Sequence, residues 1–155
     1  MTETIQQTDM KVVVFELMDK EYAIKVDVVH SIEKLMLITR IPKTPSYVRG
    51  VINLSGLVTP IVDLRDRFGI ELKEVDDQTR IIIVSLEEYN VGLIVDAAND
   101  VMDIPIELIE AQPEVVGTVE SEFISGVAKV GKRLLVMLDL DRVLEPIKQV
   151  ASDEF

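Results

Sequence analysis

Apolar residues along this chain come in short runs bounded by glycine, proline or charged residues, a spacing that predicts strands far more often than helices. The clearest case lies in YVRGVINLSGLVTPIVDLRDRFGI, Tyr47 to Ile70. Val51–Leu54 and Leu57–Val62 flank Ser55-Gly56 and read as two strands meeting at a tight turn. Asp63 then suits the cap of a short helix that ends near Gly69. Pro60 has no N–H to give a ladder, so its strand is expected at an edge or a bulge. Upstream, Lys11–Leu17 and Glu21–Val26 predict a hairpin around Asp19-Lys20. Asp27 would cap a short helix over Val28–Leu35, with Val28, Val29, Ile32 and Leu35 along one face. Leu37–Ile41 reads as a short strand and Pro42–Ser46 as a surface loop.

After an acidic linker, Glu71–Thr79, the plan starts again with Arg80–Leu86 and Val91–Val95 as a second hairpin. Laid on the first, it matches Val12 to Ile81, Leu17 to Leu86, Val26 to Val95 and Asp27 to Asp96, an offset of 69. Further on, Gly50-Val51 matches Gly126-Val127 and Asp63-Leu64 matches Asp139-Leu140, at 76, so seven extra residues fall between Val101 and Ser125. Two amphipathic hairpins can share apolar spacing without being copies. The matched aspartates favour copies, because a capping carboxylate satisfies orphan N–H groups where a strand hands over to a helix. The expected architecture is a single domain over 10–147, made of β-rich units at about 11–70 and 80–147. Units this small close most readily as compact barrels, with elements exchanged or not. A C-terminal helix from Asp139 to about Gln149 presents Leu140, Val143, Leu144 and Ile147 on one side, and residues 1–9 and 150–155 read as tails.

Composition narrows the chemistry. With 155 residues the chain can bury roughly 70% of its unfolded surface. Hydrophobic residues make up 48% against 5% aromatic, so the core is aliphatic. The net charge of -12 argues against nucleic acid or an anionic membrane as partner. No cysteine is present, no apolar run is long enough to insert in a membrane, and the acidic start is unlike a signal peptide, so a cytoplasmic protein is expected. His30, the single histidine, has no clear partner and reads as solvent-facing. Walker, GxSxG, GxGxxG and HExxH patterns are missing, and DAANDVMD at 96–103 lacks the glycine and terminal glutamate of an EF-hand. Asn53-Leu54-Ser55 is a glycosylation sequon only formally, and Arg65-Asp66-Arg67 reads as a solvated helix face. No enzyme and no cofactor is expected, since a hydrolase with paired carboxylates would need two acids meeting in a pocket. What remains is an apolar groove between two barrels, suited to an amphipathic helix and lined by Val28, Val29 and Ile32 in one copy and Ala97, Ala98 and Val101 in the other.

RGVINLSGLVTPIVDLRDRFG, Arg49–Gly69, resembles the CheW family of bacterial chemotaxis adaptors, whose pattern runs Gly-Val-x-Asn-Leu-Arg-Gly and then Pro-Ile/Val-Val-Asp-Leu-Arg. VVFELMDKEYAIKVDVVHSIE, ITRIPKTPSYVRG and TRIIIVSLEEYNVGLIVDAANDV extend the resemblance from about Lys11 to Leu144. It implies a mainly β fold of two intertwined SH3-like five-stranded barrels with short helices. It also implies a non-catalytic role, bridging cytoplasmic chemoreceptor tips to the regulatory domain of the histidine kinase CheA. The receptor would dock at Val29, Ser31, Ile32, Asn53, Ser55, Ala98 and Val101. The kinase would contact Ile38, Arg40, Ile41, Pro42 and Tyr47, with a second contact near Pro113–Val115. A related adaptor in another two-component pathway is the alternative. One departure stands out: the family usually has Arg where this chain has Ser55, and often an acid at Ser31. Arg49 or Arg40 would have to supply the missing cation, or the receptor docks differently.

Overall fold

A computed structural model describes residues 8–111 and 122–154. Eleven strands and two α-helices are formed in the order β1 (Asp9–Leu17), β2 (Lys20–Lys25), β3 (Val29–Lys34), β4 (Val48–Leu54), β5 (Leu57–Asp63), α1 (Leu64–Arg67), β6 (Arg80–Ser85), β7 (Asn90–Val95), β8 (Ala97–Pro105), β9 (Ile109–Ala111), β10 (Ile124–Val130), β11 (Arg133–Leu138) and α2 (Leu140–Glu154). They make two SH3-like barrels. Barrel 1 runs β8-β1-β2-β11-β10-β9, six strands where five were expected, and barrel 2 runs β3-β6-β7-β5-β4. Each barrel therefore takes strands from both of the halves 11–70 and 80–147. Barrel 2 is one continuous piece of chain, 29–95, inserted between the two pieces of barrel 1.

The same registers recur in both sheets. Val13↔Ile24 in the β1–β2 hairpin becomes Ile82↔Leu93 in β6–β7, and Ser31↔Ile83 in β3–β6 becomes Asp100↔Val14 in β8–β1. The parallel pairs match as well, Ile61↔Gly92 against Met137↔Ala23. Gly50 and Gly126 occupy equivalent bulges, and in each case the place of a Cβ is already taken by a backbone carbonyl, of Thr39 and of Glu110. Only glycine tolerates such an approach.

Three apolar clusters explain why the hairpin strands read as near-continuous hydrophobic runs. Val12 and Val14 point into barrel 1 with Ile104 and Leu135, while Ile81 and Ile83 point into barrel 2 with Ile52 and Ile61. The alternate residues Val13, Phe15, Leu17, Ile82 and Val84 face a shared core between the barrels. A strand buried on both faces loses its polar alternation. Val143, Leu144 and Ile147 of α2 complete that shared core as expected, and the helix continues through 150 to Glu154 where a tail was expected.

Several local expectations are overturned. Val28–Leu35 is not a helix: one 3-10 turn, Val26–Val28, leads into β3. The apolar spacing fits a helical face, but the open edge of β6 needs a partner, and tertiary pairing overrides the local pattern. Asp27 therefore caps nothing, and Asp96 is followed by a strand rather than a helix. Asp63 and Asp139 do cap, accepting from the N–H of Arg65 at 3.0 Å and of Arg142 at 3.3 Å. Leu37–Ile41 shrinks to one bridge, Thr39↔Val51, beside β4 where barrel 1 has β9 beside β10. Pro60 sits in an internal strand, not at an edge. Its place is still harmless. Val51 opposite it turns both its N–H and its C=O to Thr39, so the pair exchanges no hydrogen bonds, and pairing with β7 starts at Ile61.

Candidate protein-interaction site

β3 and β8 end their sheets in the strand order, and they carry most of the residues expected to meet a receptor. On β3 the side chains of Val29 and Ser31 turn partly inward, whereas Ile32 is 43% exposed. On β8, Ala98 is half-buried and Val101 is 55% exposed. Val29 and Ala98 are repeat-equivalent, as are Ile32 and Val101, so the two edges present matching aliphatic positions. Asn53 and Ser55 lie elsewhere, at the tip of the β4–β5 hairpin, with both turn residues at positive φ (Ser55 51°, Gly56 87°). Asn53 Oδ1 accepts from the Gly56 N–H at 2.8 Å, so this side chain is engaged in shaping the turn. The same tip exposes Leu57 and Val58, 63% and 61%.

Ile38, Arg40, Ile41 and Pro42 come together along a cleft of about 920 Å³. The segment 35–49 forms one wall, and Leu72, Lys73, Glu74 and Val75 of the acidic linker form the other. Arg65 ties that linker in place through Nη1 and the Glu71 carbonyl, 2.6 Å. Among the described residues Arg40 makes no hydrogen bond or ion pair, while Arg49 is held by Asp63 at 3.1 Å and Asp66 at 3.7 Å. Neither stands at the hairpin tip as a substitute cation. Tyr47 is not part of the cleft lining; its ring lies under the Arg67 guanidinium, 5.0 Å from the centroid. Pro113–Val115, including the expected contact Val115, lies outside the described residues. His30 is exposed, and no cluster that could hold a metal ion occurs among the described residues.

The charged helix α1 departs furthest from the solvated face its sequence suggests. Arg65 forms a two-pronged pair with Asp96, Nε to Oδ1 at 2.8 Å, and both side chains are mostly buried. Asp96 Oδ2 also accepts from the Met18 N–H at 2.9 Å, which pins the β1–β2 turn, where Met18 and Asp19 both adopt positive φ. Burial pushes the Asp96 carboxyl up, but the Arg65 and Met18 bonds outweigh it and leave it below its ordinary value. Arg67 lies against the rings of Tyr47 and Phe123 and donates to the Val143 carbonyl at 2.8 Å. Position spacing alone could not reveal these roles, because both partners are distant in sequence.

A second charged cluster sits at the mouth of barrel 1. Arg133 on β11 bonds Glu21 of β2, Nε to Oε1 at 3.0 Å, and reaches Asp100 of β8 at 3.4 Å. The equivalents in barrel 2 are Leu57, Asn90 and Ser31. The Ser31 hydroxyl is buried without a hydrogen-bond partner. The acid equivalent to Ser31, Asp100, thus has an arginine partner in barrel 1, supplied from the position of Leu57; the counterpart of Ser55 is Gly131.

The family model for the CheW-like domain matches residues 11–148. The chain belongs to the CheW-like family. A chemotaxis protein CheW of Bacillus subtilis is 44% identical over 139 residues, covering 90% of this chain and 89% of that protein. A chemotaxis protein CheW of Klebsiella aerogenes is 33% identical over 140 residues, 90% of this chain and 84% of the relative. The crystal structure of the scaffolding protein TtCheW from Thermoanaerobacter tengcongensis superposes with a TM-score of 0.82 at 36% identity, covering 88% of this chain and 93% of that one. As a CheW-like protein the chain is a chemotaxis scaffold and not an enzyme. No described helix is long and apolar enough to cross a membrane.

Proposed function

We propose that this protein couples chemoreceptor tips to the regulatory domain of the kinase CheA, at the inner face of the membrane. The observation that carries the reading is the family match along nearly the whole chain, 11–148, without large gaps in its relatives' coverage. The geometry supports a division of labour. The paired aliphatic positions of β3 and β8, with Val29, Ser31, Ile32, Ala98 and Val101, suit the apolar face of a receptor helix. The cleft edge at Ile38, Arg40, Ile41 and Pro42, with Tyr47 nearby, suits the kinase domain.

Calorimetric titration of the folded protein with each partner tests this. Binding to both at tens of micromolar or tighter is expected, and no binding to either at that concentration would overturn the proposal. Ile32→Lys together with Val101→Lys should weaken receptor-tip binding about tenfold or more and leave the kinase titration unchanged. Ile41→Glu should do the reverse. If both variants weakened both partners alike, the division between edge strands and cleft would be wrong.

A further inference from the structure

Five of the seven aromatic residues in this chain, four Phe and three Tyr in all, line up in a single row. Phe15 stacks on Tyr22 with centroids 5.8 Å apart, Tyr22 meets Phe68 at 5.8 Å, and Phe68 stacks on Phe123 at 5.4 Å. Beyond Phe123 the row continues through a cation. The guanidinium of Arg67 lies 4.4 Å from the Phe123 ring centroid and 5.0 Å from that of Tyr47. Its N–H groups meanwhile donate to α2, Nε to the Val143 carbonyl at 2.8 Å and Nη2 to the Arg142 carbonyl at 3.3 Å.

The repeat explains why Arg67 can do this. Tyr47 and Phe123 are equivalent positions, as the matching bonds from Asp63 N–H to the Tyr47 carbonyl and from Asp139 N–H to the Phe123 carbonyl show. Arg67 and Val143 are equivalent too. A residue that touches its own counterpart lies where the approximate two-fold axis crosses the molecule, so Arg67 is the point at which the two copies meet. Only one copy supplies a cation there, because Val143 is a buried aliphatic. A planar guanidinium can offer a face to an aromatic ring while its edge donates to carbonyls; an ammonium has no such plane. Of the two rings it contacts, Phe123 is buried but Tyr47 is only half-buried, so the outer end of the row reaches the surface.

We propose that Arg67 is a positioning residue: it sets Tyr47 for the partner contact and makes α2 sense that contact. This rests on the kinase-binding reading of Tyr47. The test is a double-mutant cycle on the full chain, titrating the kinase regulatory domain into the wild type, Arg67→Gln, Tyr47→Ala and the double variant. Arg67→Gln is expected to weaken binding about tenfold, and to add little once Tyr47 is already alanine. Strict additivity would overturn the proposal. Arg67→Lys keeps the charge without the plane and should recover less than half of the loss in logarithmic terms; full recovery would show that charge alone matters and sink the positioning role. The ring resonances of labelled Tyr47 and the backbone amide of Leu144 give a readout in the free protein. Both should shift in Arg67→Lys, and unmoved signals would count against the proposal even where no kinase binding is found. Shifted signals in a variant whose parent binds no kinase would uphold the link from Tyr47 to α2 and refute only the partner assignment.

Discussion

At equivalent positions the two barrels carry opposite chemistry: Arg133, Glu21 and Asp100 in barrel 1 stand where barrel 2 has Leu57, Asn90 and Ser31. The backbones of their shared strands follow one plan. The ladders keep the same registers, the bulges fall at Gly50 and Gly126, and a carbonyl crowds each of those glycines. The shared ladders fix the same chain path; apart from strand β9 and the longer helix α2, the departures that matter chemically are side chains at the rims. Barrel 1 knits its mouth across β2, β8 and β11 with charge. Barrel 2 puts exposed Leu57 in place of Arg133 and leaves the Ser31 hydroxyl unmet in place of the paired Asp100. Val58 and Ile32 are exposed like their counterparts Leu134 and Val101; with Leu57 added, the rim of barrel 2 suits an apolar partner.

The largest expected effect tests what the copies share. Gly50 holds φ 141° and has no room for a Cβ. Gly126 is crowded but not strained in φ: a Cβ there would lie 2.6 Å from the Glu110 carbonyl oxygen. Gly50→Ala should cost about 3 kcal/mol or more and Gly126→Ala about 2 kcal/mol in urea unfolding. Equal costs would mean that close approach alone governs both sites. Next comes a test of where the copies part. Asp96→Asn should cost about 1–2 kcal/mol at neutral pH because it strands Arg65, while Asp27→Asn should cost under about 0.5 kcal/mol. The Asp96 carboxyl is depressed below 3.8 in the folded protein, so its contribution is complete above that value and disappears as the pH falls through the folded value. The penalty of Asp96→Asn should accordingly persist at pH 7 and shrink in melts taken progressively below pH 3.8. The smallest stability change belongs to the rim. Ser31→Asp with Leu57→Arg writes the barrel 1 chemistry into barrel 2. The cost of a carboxylate where the Ser31 hydroxyl is buried and the gain of its arginine partner oppose each other, so stability should change by no more than about 0.5 kcal/mol. Receptor-tip affinity should nevertheless fall about tenfold; undiminished affinity would remove barrel 2's rim from the contact.

Much of this architecture is legible in the sequence. The hairpins are visible because β1 and β6 are buried on both faces, and the turn at Ser55-Gly56 because glycine marks it. The caps Asp63 and Asp139 are visible because a helix start needs a local acceptor. Val28–Leu35 misleads because strand and helix share its apolar spacing, and what decides it, the edge of β6, lies some fifty residues away. The candidate surfaces divide in the same way. Ile38, Arg40, Ile41 and Pro42 are neighbours in sequence and stay together along one cleft, whereas Arg65 and Arg67 look like solvated charge because Asp96, Phe123 and Val143 are remote.

The insertion of one barrel inside the other has a consequence for synthesis. A ribosome that has released residue 95 has delivered every strand of barrel 2, while β1 and β2 still lack β8 and β11. The amino-terminal hairpin, with Val12 and Val14 on one side and Phe15 and Leu17 on the other, gains β8 beside β1 by residue 105, but β2 must wait until residue 138 for β11. During that interval the β2 edge is open to any passing strand, so the second strand of the chain is among the last to be safely housed.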